Sequence, residues 1–484
     1  MFQHYWQWFC AAQVYFLAKK TQAAGCLFFV IMGKLERTQM PRQQNNSWQC
    51  SVKVVKPRPS RAPENWRSRR EIFAKSNPSA SPRRNWMKAG FRFVPRNAKH
   101  EAEWNQGWSI REAFVVSGNG IKTERDGVSI HFSRKEIQTA VNDFRLLADY
   151  ELRQKYNLEN DSRDWSVDRA KADTNANKDS KLFKQILYRP FDVRHTWFSG
   201  KSKGFIGTPA SALMHHFIAG ENVGFITTRQ TKEDFGVLAS SLIAGHKSCA
   251  AYDINTVFPL YLYPNGESEE QDELVPHENG RRPNLAAEFV KQFTETVGLK
   301  FIPDGRGDLK KTFGPEDIFN YAYAIFHSLS YRERYAEFLK LDFPRVPIPD
   351  DGSLFRKLCQ YGSKLVALHT LKTEGDSSVG FDVPGSNNIE QISFVPPNKE
   401  TGIRAGRVHI NAEQYFEGIS PAVWQMRIGG YQVCEKWLKD RKGRTLTHDD
   451  IEHYQRTVSA LAETRSLMAQ IDALIADHGG WPLK

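Results

Sequence analysis

The stretch from residue 186 to residue 234 carries side chains suited to contact with double-stranded DNA. Arginine can donate two hydrogen bonds to guanine and glutamine can pair with adenine, whereas lysine neutralises backbone phosphates. Lys201 and Lys203 stand between Gly200 and Gly204, in a turn that could approach phosphates. The pattern predicts DNA contacts from Arg189, Arg194, Lys201, Lys203, Arg229, Gln230 and Lys232.

Two of these arginines have a competing structural interpretation. The run Arg189-Pro-Phe-Asp-Val-Arg places the carboxylate of Asp192 close to two guanidinium groups. Because guanidinium and carboxylate groups pair readily, Arg189 or Arg194 could form an internal salt-bridge corner with Asp192. For these two arginines the structural interpretation is slightly favoured, whereas Lys201, Lys203, Arg229 and Lys232 favour contact with DNA.

Motifs for methyl transfer and nucleotide hydrolysis are incomplete. Adenine methylation needs an Asn/Asp-Pro-Pro-aromatic loop to hold the flipped base, and the only Asn-Pro dipeptide, at Asn77, lacks the second proline. Gly200-Lys-Ser matches the tail of a phosphate-binding loop, but His195 occupies the position of its first glycine. We therefore expect no cofactor on this chain and no catalytic residue.

Candidate metal ligands also lack a suitable spacing. Asp304 and Asp308 with Lys310 match a nuclease signature on paper, yet the two acids are separated only by Gly-Arg-Gly, which favours a solvated turn. His215 with its neighbouring histidine, and the run from His246 to a cysteine, have no partner at zinc spacing. We therefore expect no metal site.

The net charge of +12 is concentrated near the N-terminus. Between residues 41 and 100, fifteen Lys and Arg stand against two acids, so the rest of the chain is nearly neutral. Residues 1–85 can be a basic DNA-binding arm or a poorly ordered extension, and their lack of periodicity favours the extension. The six scattered cysteines predict reduced thiols in the cytoplasm, and the apolar run at residues 23–32 is too short to span a membrane.

The elements that must position these side chains can be predicted in outline. Alternation at residues 127–132 predicts a strand, and the capping box of Ser133 and Glu136 predicts that a helix follows. The polar, turn-rich residues 171–181 predict an exposed loop.

Further along the chain, two buried strands and two long helices are expected. Residues 222–228 and 257–263 predict the strands, the second near a sheet edge because Pro259 cannot donate to a ladder. Apolar residues at helical spacing follow Pro315 and Thr447, where proline and a capping threonine favour helix starts. These elements predict an α/β fold.

Four long runs stand in order between residues 187 and 444. They are Leu187-Tyr-Arg-Pro-Phe-Asp-Val-Arg, Val257-Phe-Pro-Leu-Tyr-Leu-Tyr, the run Tyr331-Arg-Glu-Arg-Tyr-Ala-Glu-Phe-Leu-Lys-Leu-Asp-Phe-Pro-Arg-Val-Pro, and Arg427-Ile-Gly-Gly-Tyr-Gln-Val-Cys-Glu-Lys-Trp-Leu-Lys-Asp-Arg-Lys-Gly-Arg. Together they resemble the C-terminal specificity domain of Type ISP restriction-modification enzymes. The resemblance covers about residues 181–484, and residues 91–168 are similar to the segment that joins this domain to the methyltransferase.

The composition of residues 1–85 and the resemblance of the residues that follow together predict an organisation for the whole chain. We expect a mixed-sheet target-recognition body with a helical C-terminal part, behind a poorly ordered basic N-terminal extension. The expected units are residues 1–85, the atypical extension; 86–180, the connector; 181–349, the mixed α/β part of the specificity domain; and 350–484, its C-terminal part with the long final helix.

The resemblance also implies a function. Family members join a nuclease, an ATP-driven translocase, an adenine methyltransferase and the specificity domain, so S-adenosylmethionine, ATP and Mg are implied for domains that this sequence lacks. We expect sequence-specific recognition of double-stranded DNA, with a methyltransferase/translocase chain as a possible partner and no membrane. The alternatives are part of an active N6-adenine methyltransferase or restriction enzyme completed by another chain, or a truncated, non-functional remnant.

Overall fold

The computed structural model describes residues 97–264, 280–375, 379–400 and 402–483. They belong to one compact unit that spans residues 92–484, whereas the expected basic extension lies outside the described residues. The helices of the described part are α1 (Ala98–Gln106), α2 (Ile110–Ala113), α3 (Asp126–Ser129), α4 (Arg134–Leu146), α5 (Asp149–Lys155), α6 (Val167–Ala176), α7 (Ser211–Ile218), α8 (Ala287–Val297), α9 (Pro315–His327), α10 (Leu329–Arg334), α11 (Ala336–Leu339), α12 (Gly352–His369), α13 (Pro421–Trp424), α14 (Val433–Lys439) and α15 (His448–Asp477).

The strands form several small sheets, so the fold is mixed α/β as expected. The strands are β1 (Trp108–Ser109), β2 (Gly118–Asn119), β3 (Phe183–Arg189), β4 (Asp192–Trp197), β5 (Gly224–Thr228), β6 (Val237–Ser240), β7 (Ile243–Ala244), β8 (Asn255–Pro259), β9 (Tyr261–Leu262), β10 (Arg282–Pro283), β11 (Lys300–Phe301), β12 (Thr312–Phe313), β13 (Arg345–Val346), β14 (Ser393–Val395), β15 (Arg407–His409), β16 (Tyr415–Glu417), β17 (Arg427–Ile428) and β18 (Tyr431–Gln432).

The largest sheet has the order β2-β8-β5-β6 and is antiparallel throughout. Every residue of β5 is buried, which confirms the prediction of a buried strand there. The prediction of an edge position for β8 is wrong, because β8 lies between β2 and β5. Pro259 is tolerated because it lies beyond the residues that pair with β2, where the buried Asn284 side chain donates to the carbonyl oxygens of Pro259 and Val116 instead.

Helices α9, α12 and α15 form the core behind this sheet. Phe225 of β5 stacks on Phe319 of α9, with 3.9 Å between ring centroids. Helices α9 and α12 approach so closely that a Cβ atom on Gly362 would overlap the carbonyl oxygen of Asn320. Both predicted helices are confirmed, and the Thr447 hydroxyl caps α15 by accepting from the backbone of Asp450 at 3.1 Å.

Two local predictions are wrong. Residues 126–129 form the single helical turn α3 instead of a strand, because the backbone amides of Val128 and Ser129 both donate to the carbonyl of Arg125. The capping box of Ser133 that opens α4 is confirmed. Residues 171–176 belong to α6 instead of a loop, since the polar side chains of Asp173 and Thr174 are buried and bonded.

Candidate nucleic-acid interface

Strand ends of the largest sheet gather several candidate residues at one edge. Thr228, the last residue of β5, pairs with Asn255, the first residue of β8, and β2 ends beside them. The connection from β5 to β6 therefore leaves the sheet at the same edge as the loop that enters β8. This connection carries Arg229, Gln230 and Lys232, which are all exposed.

The second sheet, β4-β3-β7, ends at the same place. Strands β3 and β7 run parallel, with Leu187 beside Ala244. Backbone hydrogen bonds of 2.8 Å join Ile121, just after β2, to Ala244 and His246, just after β7. We call this place the loop edge. It comprises residues 120–126, 188–189, 200–208, 229–236 and 245–254.

A buried ion-pair corner stands beside the loop edge on the β3–β4 hairpin. Arg194 pairs with Asp192 at 2.7 Å and with Asp440 at 3.1 Å, and Arg441 pairs with Asp192 at 2.9 Å. Burial raises the pKa of Asp192, but Arg441 and Arg194 outweigh that effect, so its pKa lies below the ordinary value. The predicted salt-bridge corner is therefore confirmed for Arg194, whose guanidinium group is buried.

Arg189 lies at the tip of the same hairpin without using Asp192. Its Nη1 donates to the carbonyl oxygens of Tyr188 at 2.8 Å and Lys247 at 3.3 Å. Its guanidinium group lies 3.8 Å from the Tyr188 ring centroid, and Arg194 lies 4.1 Å from the same ring. The Tyr188 hydroxyl donates to Asp126 at 2.7 Å. Arg189 and Arg194 are thus brought together around one fixed aromatic ring.

A buried carboxylate stabilises the turn that carries Lys201 and Lys203. Asp173 of α6 accepts hydrogen bonds from the Ser199 hydroxyl at 2.8 Å and from the backbone of Phe205 at 2.9 Å. A Cβ atom on Gly204 would overlap this carboxylate, so the close approach requires glycine. Both lysines are exposed, and Lys203 lies 3.8 Å from Asp164.

The turn joins the loop edge through the backbone. Thr208 pairs with Lys122, and the amide of Gly207 donates to the carbonyl of Thr123 at 3.2 Å. Lys203 itself has a positive φ of 58°, which an L residue adopts only when its surroundings hold it there. The two lysines are therefore presented on a turn with a fixed backbone.

The connection between β5 and β6 is also anchored. The amide of Thr231 donates to the carbonyl of Lys340 at 3.1 Å, and the amide of Lys232 donates to Asp253 at 3.1 Å. The side chain of Arg229 is 66% exposed and lies 3.5 Å from Asp342. Such an exposed ion pair contributes little and leaves the guanidinium group available to a ligand.

Sequence reasoning missed the loop at residues 246–254. Its Tyr252 and Ile254 are exposed, although an aromatic and a β-branched residue before a strand predict core packing. The only signal is the pair of turn-forming residues, Gly245 and Asp253, at its ends. Exposure here depends on how the two sheets meet, which no short window of sequence contains.

The rejected metal candidates have structural roles. Asp308 accepts backbone hydrogen bonds from Lys310, Lys311 and Thr312 at 2.7 to 2.9 Å, which hold its pKa well below the ordinary value. Asp304 pairs with Arg281 at 2.8 Å. Within the described ranges, no cluster of three or more His, Cys, Asp or Glu side chains could hold a metal ion. No helix in these ranges is long and apolar enough to cross a membrane.

Comparison with known proteins identifies the class of this chain. The family model of the Type ISP C-terminal specificity domain matches residues 112–470, so the chain belongs to that family. No curated protein sequence matches it.

Solved structures share its fold. It is similar to DrdV in a cryoEM structure of a DrdV–DNA complex, with a TM-score of 0.56 and 19% identity over 80% of this chain and 42% of that one. It is similar to the ATP-dependent Type ISP enzyme LlaBIII bound to DNA, with a TM-score of 0.54 and 15% identity over 78% and 25% of the chains. It is also similar to a nuclease-deletion mutant of the Type ISP enzyme LlaGI in complex with a DNA substrate mimic. Here the TM-score is 0.52 and the sequence identity is 17%, over 78% of this chain and 29% of that one. The chain thus spans less than half the length of these proteins.

Proposed function

We propose that this chain recognises a specific sequence in double-stranded DNA as the specificity module of a Type ISP-like restriction-modification system. The observation that carries the proposal is the loop edge, where Lys201, Lys203, Arg229, Gln230 and Lys232 are exposed on anchored segments of a Type ISP specificity domain. The similar solved structures, which contain DNA, support the same function.

The five exposed side chains divide by chemistry. Lys201, Lys203 and Lys232 contact phosphates, because an ammonium group is a compact point charge with no preference among bases. Arg229 and Gln230 reach base edges, because their side chains can form paired hydrogen bonds with guanine and adenine. A fixed backbone lets these side chains discriminate among bases with little loss of conformational entropy.

The two hairpin arginines take different roles. Arg189 is partly exposed at the loop edge and contacts the DNA backbone there. Arg194 is engaged by Asp192 and Asp440, so it acts as a positioning residue that fixes the hairpin instead of touching DNA.

Catalysis is proposed to belong to other parts of the system. S-adenosylmethionine, ATP and Mg²⁺ serve the methyltransferase and translocase, which a partner chain would supply, and we propose that this chain alone binds none of them. The cytoplasm, where such a system meets DNA, is the proposed location, and the free buried thiols of Cys249, Cys359 and Cys434 agree with it.

Selection from a randomised duplex library tests the function. The full chain should enrich one short motif and bind a duplex with that motif more tightly than a scrambled duplex of equal composition. Enrichment that yields no motif would contradict sequence-specific recognition. A parallel incubation with S-adenosylmethionine should give no methylated DNA, and methylation by the chain alone would contradict the proposed division of labour.

A further inference from the structure

The loop at residues 246–254 presents apolar side chains at the loop edge. Tyr252 is 76% exposed and Ile254 is 50% exposed, and the two stand one residue apart. Apolar side chains left in water can be buried by a ligand, and that burial is favourable. We call this segment the tip loop.

The backbone of the tip loop is held from inside the loop and from its neighbours. The Lys247 ammonium group donates to the carbonyl oxygens of Ala251 at 2.9 Å and Tyr252 at 2.7 Å. The Tyr431 hydroxyl donates to the carbonyls of Lys247 at 2.9 Å and Ala250 at 3.2 Å. These hydrogen bonds therefore fix the backbone that carries Tyr252.

Two further contacts fix the middle of the tip loop. The amide of Ala251 donates to Glu233 at 2.9 Å, and the amide of Ser248 donates to the Asn255 side chain at 2.7 Å. A loop ordered before binding loses little conformational entropy when its side chains dock. This arrangement suits a side chain that must enter a narrow space at a defined position.

Cations flank the apolar tip. The backbone amide of Lys232 donates to Asp253, between Tyr252 and Ile254. The β5–β6 connection, which carries Arg229 and Lys232 together with Glu233 and Asp234, therefore lies directly beside the tip. Arg189 donates to the carbonyl of Lys247 at the other end of the loop. Duplex DNA offers this combination, because its phosphates lie outside and the faces of its stacked bases provide a large apolar area inside.

We propose that Tyr252 and Ile254 form a wedge that inserts at one base-pair step of the bound duplex. The proposal rests on the proposed function and adds a mode of recognition to it. Apolar side chains inserted between base pairs unstack the step, and the cost of unstacking depends on the sequence. The tip loop would thereby read a step by its deformability, beside the hydrogen bonds of Arg229 and Gln230.

The test uses the full chain and the duplex obtained by selection, with 2-aminopurine placed in turn at each position. Fluorescence should rise at one step when the wild-type chain binds, because unstacked 2-aminopurine is bright. Tyr252→Ala should abolish the rise and weaken binding to this duplex by roughly 5-fold or more, as expected for the loss of one base–aromatic contact. Tyr252→Phe should retain both effects, since the ring is what stacks.

Tyr150→Ala is the matched control, because Tyr150 is 71% exposed on α5 and lies outside the loop edge. It should change neither the fluorescence nor the affinity. The wedge is overturned if the wild-type chain binds the selected duplex with no bright step, or if folded Tyr252→Ala behaves like wild type. The second result would assign the tip to a protein partner. Failure of the selection itself would instead contradict the proposed function.

Discussion

Two basic regions that lie close in sequence differ sharply in structure. The corner around Arg194 uses its positive charge internally, because Asp192 lies buried between two guanidinium groups. The turn with Lys201 and Lys203 keeps its charges exposed, because the acid beneath it, Asp173, is occupied by a hydroxyl and a backbone amide. The position of one carboxylate thus decides whether nearby cations stabilise the fold or remain available to a ligand.

The largest effect is expected from removing the acid of the corner. Asp192→Ala leaves Arg194 and Arg441 buried without their carboxylate, so the free energy of unfolding should fall by about 3–5 kcal/mol. Denaturant titration measures this change. Glu435→Ala is the control, because the Glu435–Lys439 pair, in which Glu435 is half-buried and Lys439 exposed, should contribute less than about 1 kcal/mol. Equal losses in the two variants would show that the corner is not a stabilising unit.

Acid should destabilise the folded chain through His369, which packs against the β3–β4 hairpin. Phe191, at the tip of the β3–β4 hairpin, packs edge-on against His369, with ring centroids 5.4 Å apart. Burial, aided by Arg332, lowers the pKa of His369 from 6.5 to about 3. The unfolded chain therefore takes up this proton first, so the associated stability is complete above pH 6.5 and is lost as the pH falls towards 3.

His369→Gln isolates this contribution. Over that pH range the free energy of unfolding of the wild-type chain should fall more steeply than that of the variant, by up to about 1.4 kcal/mol per pH unit. Denaturant midpoints at a series of pH values provide the measurement. If the unfolding free energies of the wild-type chain and the variant changed with pH in parallel, His369 would have the same pKa in the folded and the unfolded state.

A smaller effect, on binding alone, is expected from the lysine turn. Lys201→Ala and Lys203→Ala should each weaken binding to every duplex and lower the slope of log affinity against log salt by about 0.9 per lost phosphate contact. Stability should remain unchanged, in contrast to the corner. Fluorescence anisotropy at several salt concentrations measures the slope. The exposed Lys291→Ala on α8 is the control, and an equal slope in all four chains would remove the turn from the interface.

Local signals explain what the sequence could predict. Ser133, Pro315 and Thr447 each begin a helix because capping and spacing act within a few residues. The pairing of Arg194 with Asp192 was within reach for the same reason. Its second acid, Asp440, was not, because it is 246 residues away along the chain.

The failures have the opposite cause. The polarity of residues 171–176 predicts a loop. In the structure, however, the carboxylate of Asp173 is buried and accepts hydrogen bonds from Ser199 and Phe205, which belong to a turn distant in sequence. Tyr252, for which the sequence makes no prediction, is left exposed by the way the two sheets meet. In both cases the tertiary structure, and not the residue type, determines whether the side chain is buried.

The loop edge is proposed to read DNA sequence, and one ratio measures how well the chain discriminates between duplexes. This is the ratio of dissociation constants for a scrambled duplex and the selected duplex, measured for wild type, Arg229→Ala and Gln230→Ala, with melting curves to verify folding. Loss of a base contact should lower this ratio, and the difference in binding free energy between the two duplexes should shrink by about 1–3 kcal/mol. The affinity for the scrambled duplex should change little. Folded variants that keep the wild-type ratio would show that Arg229 and Gln230 do not read DNA sequence.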